Sequence, residues 1–280
     1  AITDAELDTL LAKAASCDKL VLALGEHPSM SAEAGSRAYL DLPEPQMRLL
    51  RKACATGKPV AVAVFSGRPL VLTEVDGLAQ AILQAWFPGT EGGNALADLL
   101  LGRASPSGRL TMSFPYALGQ LPLYYNHLPT GRPKHGKADP ERFRSRHIDA
   151  PNEPLYPFGH GLTYASFDYG AVELSANAMG AGDTLIASVT VTNTGHVAAT
   201  ETVQLYLRDM AGSYARPVRM LKGYQTLTLA AGEARDVRFT VNTDMLKYHT
   251  PSGYHAEAGE FVAFIGPNAA TENGASFTLV

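Results

Sequence analysis

The chain has 280 residues, of which 46% are hydrophobic and 18% charged, with a formal net charge of -4. That length favours two ordinary domains over one large one, and the apolar content supports packed cores, which excludes a disordered chain. No Lys/Arg run offers a phosphate-neutralising surface, and no apolar stretch approaches the roughly 20 residues of a membrane helix, so neither nucleic acid nor a membrane is an expected partner.

Residues 1–16 carry Asp4, Glu6 and Asp8 where a secretory signal would carry lysines and then an apolar block, so no targeting segment is visible. Thr3 and Glu6 form a capping-box pattern, and Leu7, Leu10, Leu11 and Ala14 follow at helical spacing. Cys17 and Cys54 share no metal-ligand or redox spacing and are expected to be buried, inert thiols. Lys19 to Leu24 reads as a buried strand. Pro43 opens a helix whose inner face is Met47, Leu50 and Ala53, and Gly57 ends it before a second strand at Pro59 to Phe65. A third apolar run, Ala81 to Phe87, precedes Gly92-Gly93 and a helix from Asn94 to Leu101 that stops at Gly102. Continuous rather than alternating runs imply a mostly parallel sheet covered on both faces.

From Pro115 to Phe167 the pattern dissolves into Pro, Gly, Tyr, His and Arg, a composition that suits a long structured loop wrapping a domain or lining a cleft. After Tyr169 the period becomes two. Leu185, Ala187, Val189 and Val191 alternate with polar or outward residues, and Val203, Leu205 and Leu207 repeat the pattern after a turn at Asn193 to Gly195. Further strands are predicted at Leu221 to Leu229, Asp236 to Val241 and Phe261 to Gly266. Short strands at near-regular spacing indicate an immunoglobulin-like or fibronectin-type sandwich. The expected organisation is therefore an α/β sandwich domain over 1–123, a loop or linker region over 124–168, and an all-β sandwich over 169–280.

Two clusters invite a chemical reading. The segment from Gly25 to Arg37 follows the first strand and holds Glu26, His27, Met30, Glu33 and Arg37; ligands of open parallel sheets bind at the carboxyl ends of strands. Its length exceeds the usual connection of an α/β unit, though a polar loop facing water is the simpler account. The second cluster, Trp86 to Asn94, joins strand to helix through glycines but matches no phosphate-binding pattern, and a tight turn explains it. Ser66 and Ser113 lack a nucleophile-elbow context, and the histidines show no paired metal spacing, so no metal or cofactor is expected.

Taken together, Gly25-Glu26 with Met30 to Arg37, Leu42-Pro43, Gly57 to Val60, Gly67-Arg68-Pro69-Leu70, Ala85 to Ala95, Pro106 to Leu110, Ser113-Phe114-Pro115 and Tyr156 to Tyr164 resemble, in order and spacing, bacterial family 3 β-glucosidases of the periplasmic type. Val191 to Gly195, Gln204-Leu205-Tyr206, Arg216-Pro217, Leu221 to Tyr224 and Ala231-Gly232-Glu233 continue the match, so it spans essentially the whole chain. The resemblance implies that the final domain is fibronectin type III-like and that a (β/α)₈ barrel carrying an Asp nucleophile precedes these domains in the family. No barrel is written in this sequence, so the barrel half is the implied partner and a periplasmic or secreted location is implied. By motif position Glu33 resembles the family's general acid/base. Glu26 lies beside the same cleft as the alternative acid, and His27, Met30 and Arg37 are candidate substrate contacts. The implied substrates are β-linked gluco-oligosaccharides or β-glucosides, hydrolysed from the end with retention. A β-xylosidase of the same family, or a noncatalytic carbohydrate-binding or interaction module, is the alternative. Exposed Tyr214, Tyr248 and Tyr254 are read as packing rather than sugar-stacking residues.

Overall fold

The computed structural model describes residues 2–133 and 141–280. The chain forms two units. The first comprises Ala1–Arg103, Phe114–Pro122 and Asn152–Tyr156; the second comprises Ala104–Ser113, Leu123–Pro151 and Pro157–Val280.

The first unit holds helices α1 (Asp4–Lys13), α2 (Glu44–Cys54), α3 (Thr73–Leu78) and α4 (Gly92–Leu100), with strands β1 (Leu20–Gly25), β2 (Val60–Phe65) and β3 (Ala81–Gln84) in one parallel sheet of order β1-β2-β3. The capping box at Thr3 and Glu6 is present at the start of α1. Of its apolar residues Leu7 is buried, whereas Leu10 is exposed. In α2 the buried residues are Met47, Leu50 and Ala53, the face expected from their spacing, and Gly57 adopts a φ of 74° beyond its end. α2 packs on β1, and α1 and α3 pack on α2. The sheet is less covered than continuous apolar runs suggest. Val21 and Ala23 on β1 and Ala81 on β3 are exposed, while Leu20 and Leu24, whose side chains point the other way along the pleat, are buried. β3 is shorter than its apolar run, which bends away at Trp86 (φ 51°). Cys17 departs from expectation and is exposed, because it lies in the turn after α1 rather than in a packed element; Cys54 is half-buried, and burial pushes its thiol pKa up.

The second unit is a β-sandwich. Its short leading strands β4 (Phe167–Tyr169), β5 (Glu173–Leu174) and β6 (Ala178–Met179) are followed by β7 (Thr184–Asn193), β8 (Ala199–Asp209), β9 (Met220–Leu229) and β10 (Ala234–Asn242). β11 (Tyr248–Thr250) and β12 (Gly253–His255) form a hairpin, and β13 (Gly259–Gly266) and β14 (Gly274–Leu279) close the chain. One sheet runs β10-β7-β4, with β5 also on β7; the other runs β6-β14-β13-β8-β9. Leu185, Ala187, Val189 and Val191 face Val203, Leu205, Leu207 and Phe277 in a common core, as their alternation predicts.

β8 is buried on its other face as well. There the loop residues Tyr125 and Phe158 stack at 4.2 Å between ring centroids, Tyr125 meets Tyr206 edge-on, and Gln204 donates to the carbonyl oxygens of Gly159 and Pro267 at 3.1 and 2.5 Å. The aromatic loop region thus wraps a sheet surface. Tyr248 is buried beneath the Arg216 guanidinium, 3.9 Å from the ring centroid, whereas Tyr214 and Tyr254 are exposed. Among the described residues no helix is long and apolar enough to cross a membrane.

Candidate functional site

The connection between β1 and α2 begins with two backbone constraints. Gly25 pairs with Phe65 in the parallel ladder, and a Cβ on it would stand 1.9 Å from the Phe65 carbonyl oxygen, so only glycine fits. Gln46 of α2 holds the same residue from the other side, accepting its N–H at 2.8 Å and donating to its carbonyl at 2.9 Å. The chain therefore leaves the sheet in a fixed direction.

Glu26 comes next, and its side chain is fully buried. Its Oε1 accepts a hydrogen bond from Arg37 Nη1 at 2.9 Å and lies 3.2 Å from Arg68 Nε in a charge contact without hydrogen-bond alignment. Its Oε2 accepts from the Gly67 N–H at 3.3 Å. A buried carboxylate is stable only when paired and hydrogen-bonded, and two guanidinium groups supply that here. His27 caps a short 3₁₀ turn over Pro28–Met30 by accepting the Ser29 N–H at its Nδ1, which requires the tautomer protonated at Nε2; the ring is exposed. Met30 is half-buried and contributes its carbonyl, rather than its thioether, to the network described next.

Glu33 occupies the tip. The Gly35 N–H donates to the Ala32 carbonyl at 3.0 Å, closing a four-residue turn with Glu33 and Ala34 at its centre. Ala34 has φ 60° and Ala32 φ 101°, both in the region that disfavours any residue with a Cβ. Left-handed backbone at two alanines costs of order 1 to 3 kcal/mol each and persists only where the surroundings impose it. Glu33 itself is exposed, and among the described residues it makes no hydrogen bond or ion pair. A carboxyl group so presented can give a proton to, or take one from, a molecule that approaches the turn.

Arg68, at the carboxyl end of β2, is a participant that residue-type reasoning did not single out. Its Nη2 donates to the carbonyls of Met30 at 2.8 Å and Gly35 at 2.6 Å, on either side of the turn. Its own carbonyl accepts from the buried Ser66 hydroxyl at 2.8 Å, which in turn accepts from Gln84 of β3 at 3.0 Å. Gly67 lets the loop come close: a Cβ there would lie 2.3 Å from Ser31 Oγ and 2.8 Å from the Phe87 ring. A basic residue just beyond a neighbouring parallel strand was the available signal, since such positions converge on one edge of the sheet. Thus Glu26 and Met30 contact Arg68, Arg37 joins them through Glu26, Glu33 projects from the adjoining turn, and His27 stands apart from them. Among the described residues, no group of three or more His, Cys, Asp or Glu side chains is arranged to hold a metal ion.

Comparison with known proteins gives the same frame. Residues 2–164 match the glycosyl hydrolase family 3 C-terminal domain, and residues 201–269 match a fibronectin type III-like domain. The chain is 43% identical over 277 residues to the periplasmic beta-glucosidase of Salmonella typhimurium, covering 99% of this chain and 36% of that protein. It is 37% identical to a beta-xylosidase of Formosa agariphila, over 84% of this chain and 32% of that protein. A crystal structure of the Listeria innocua beta-glucosidase in complex with glucose superimposes with a TM-score of 0.95 at 38% identity, covering all of this chain and 39% of that one. The chain thus spans roughly a third of the length of these relatives.

Proposed function

The chain belongs to glycoside hydrolase family 3, and from that premise we propose that it is the C-terminal part of a retaining, exo-acting β-glucosidase, to which it supplies the general acid/base Glu33. The observation that carries this reading is the presentation of Glu33: an exposed carboxyl at the tip of a backbone-strained turn, at the carboxyl edge of a parallel sheet, with no partner of its own among the described residues. Strain of this kind concentrates where a side chain must be offered to a ligand.

Retaining hydrolysis needs two carboxyl groups about 5 to 5.5 Å apart, one attacking the anomeric carbon and one protonating the departing oxygen. In the proposed enzyme the attacking carboxylate comes from the remaining polypeptide, a (β/α)₈ barrel, and Glu33 closes over the sugar held there. Glu33 gives its proton to the leaving group in the first step, then removes one from water as the glycosyl-enzyme bond breaks. Glu26 has both oxygens occupied by Arg37, Arg68 and Gly67, an arrangement that suits support of the loop better than proton transfer. Substrates are terminal β-glucosyl residues of oligosaccharides or β-glucosides. The likeness to a beta-xylosidase favours β-xylosides as the second substrate class. The periplasmic relative supports the same compartment for this protein.

The test is reconstitution. This chain assayed alone on an aryl β-glucoside is expected to be inactive, and activity is expected when the barrel polypeptide is added. Turnover by this chain alone contradicts the division of the active site, and inactivity of the combined, demonstrably associated halves favours a noncatalytic module.

A further inference from the structure

The turn that carries Glu33 does not hold its own shape. One hydrogen bond closes it, and two of its four residues are alanines at positive φ, so left to itself it would relax toward less strained backbone. Among the described residues, one group that opposes that relaxation is the Arg68 guanidinium. Nη2 of Arg68 joins the Met30 and Gly35 carbonyls, which flank the turn, while Nε of the same planar group rests against the buried Glu26 carboxylate that Arg37 also holds. Behind Arg68 stand Ser66 and Gln84, which tie it to the ends of β2 and β3. The loop from β1 is thereby referenced to the ends of the other two strands of the sheet.

We propose that Arg68 is a positioning residue for the acid/base, setting where the Glu33 carboxyl stands through the Met30 and Gly35 carbonyls, with Glu26 fixing the plane of its guanidinium; the inference rests on the reading of Glu33 as the acid. A lysine cannot reproduce it, because one ammonium lacks a second, rigidly spaced nitrogen with which to meet Glu26 while another bridges the carbonyls. Misplacing a catalytic group by about 1 Å costs on the order of 10²-fold in rate, and the loss falls on reactions that need the proton.

The experiment compares Arg68→Met, Arg68→Lys and Glu33→Gln in the full-length glycosidase on methyl β-glucoside, whose leaving group needs protonation, and on 2,4-dinitrophenyl β-glucoside, whose leaving group does not. Arg68→Met is expected to lower kcat/KM on the methyl glucoside by about 10²-fold and on the activated substrate by less than about tenfold. Arg68→Lys is expected to show the same selectivity in weaker form, and it serves as the test if the methionine variant does not accumulate folded. In a Glu33→Gln background, Arg68→Met is expected to add no further loss on the methyl glucoside, which a merely structural role would not produce. If Glu33→Gln is selective but the Arg68 variants lose both substrates equally, or neither, the positioning role is overturned and the acid stands. If Glu33→Gln is itself unselective, the acid assignment falls and the positioning role with it.

Discussion

The Cβ that any other residue would bring to position 25 lies 1.9 Å from the carbonyl oxygen of Phe65, its partner in the parallel ladder. The φ of 151° at Gly25 adds to the demand for glycine. Gly25→Ala must therefore spread β1 from β2 or twist the start of the candidate site. A loss of about 3 kcal/mol in the stability of this chain is expected, read as a lower urea midpoint at unchanged slope.

Buried polar groups in the sandwich lead to a second prediction. Gln204 satisfies the Gly159 and Pro267 carbonyls and accepts from the Tyr206 hydroxyl at 2.6 Å. Gln204→Leu keeps the volume but orphans all three, and should cost about 2 to 4 kcal/mol. Tyr206→Phe leaves two of the three contacts intact and should cost about 1 kcal/mol. Chemical denaturation of both variants checks the ordering.

The helix start at Thr3 gives a prediction about pH. Glu6 accepts the Thr3 backbone N–H at 2.7 Å and the Thr3 hydroxyl at 2.8 Å, and these two donors, the backbone one foremost, hold its carboxyl below the ordinary glutamate value. A carboxyl lowered on folding contributes stability that is present above its unfolded pKa and lost as pH falls through the folded one. Carboxyl-carbon NMR titration should place the Glu6 midpoint below that of a glutamate in an unstructured peptide. In Thr3→Ala it should move only part of the way back, since the N–H donor survives.

How much of this was legible beforehand depends on the range of the interactions. The inner face of α2 was readable because Pro43 sets its start and Met47, Leu50 and Ala53 recur at the helical period, both local properties. The alternation in β7 was readable for the same reason. The helix Thr73–Leu78 was not, being six residues long with no side-chain cap. Gln204 and Tyr206 sit where alternation predicts exposure, and their burial depends on loop residues Tyr125 and Phe158. Within the candidate site, Glu33 was singled out by motif and position, whereas Arg68 escaped notice because its partners Met30 and Gly35 lie 38 and 33 residues away. Only the register of β1 on β2 brings them together.

The assignment of Glu33 is tested most directly by azide rescue in the full-length glycosidase. Glu33→Ala, assayed on an activated aryl β-glucoside, is expected to turn over slowly alone and faster with added azide, releasing β-glucosyl azide as the small anion takes the place that base-assisted water has in the native enzyme. Production of that azide by Glu26→Ala and not by Glu33→Ala would contradict the account.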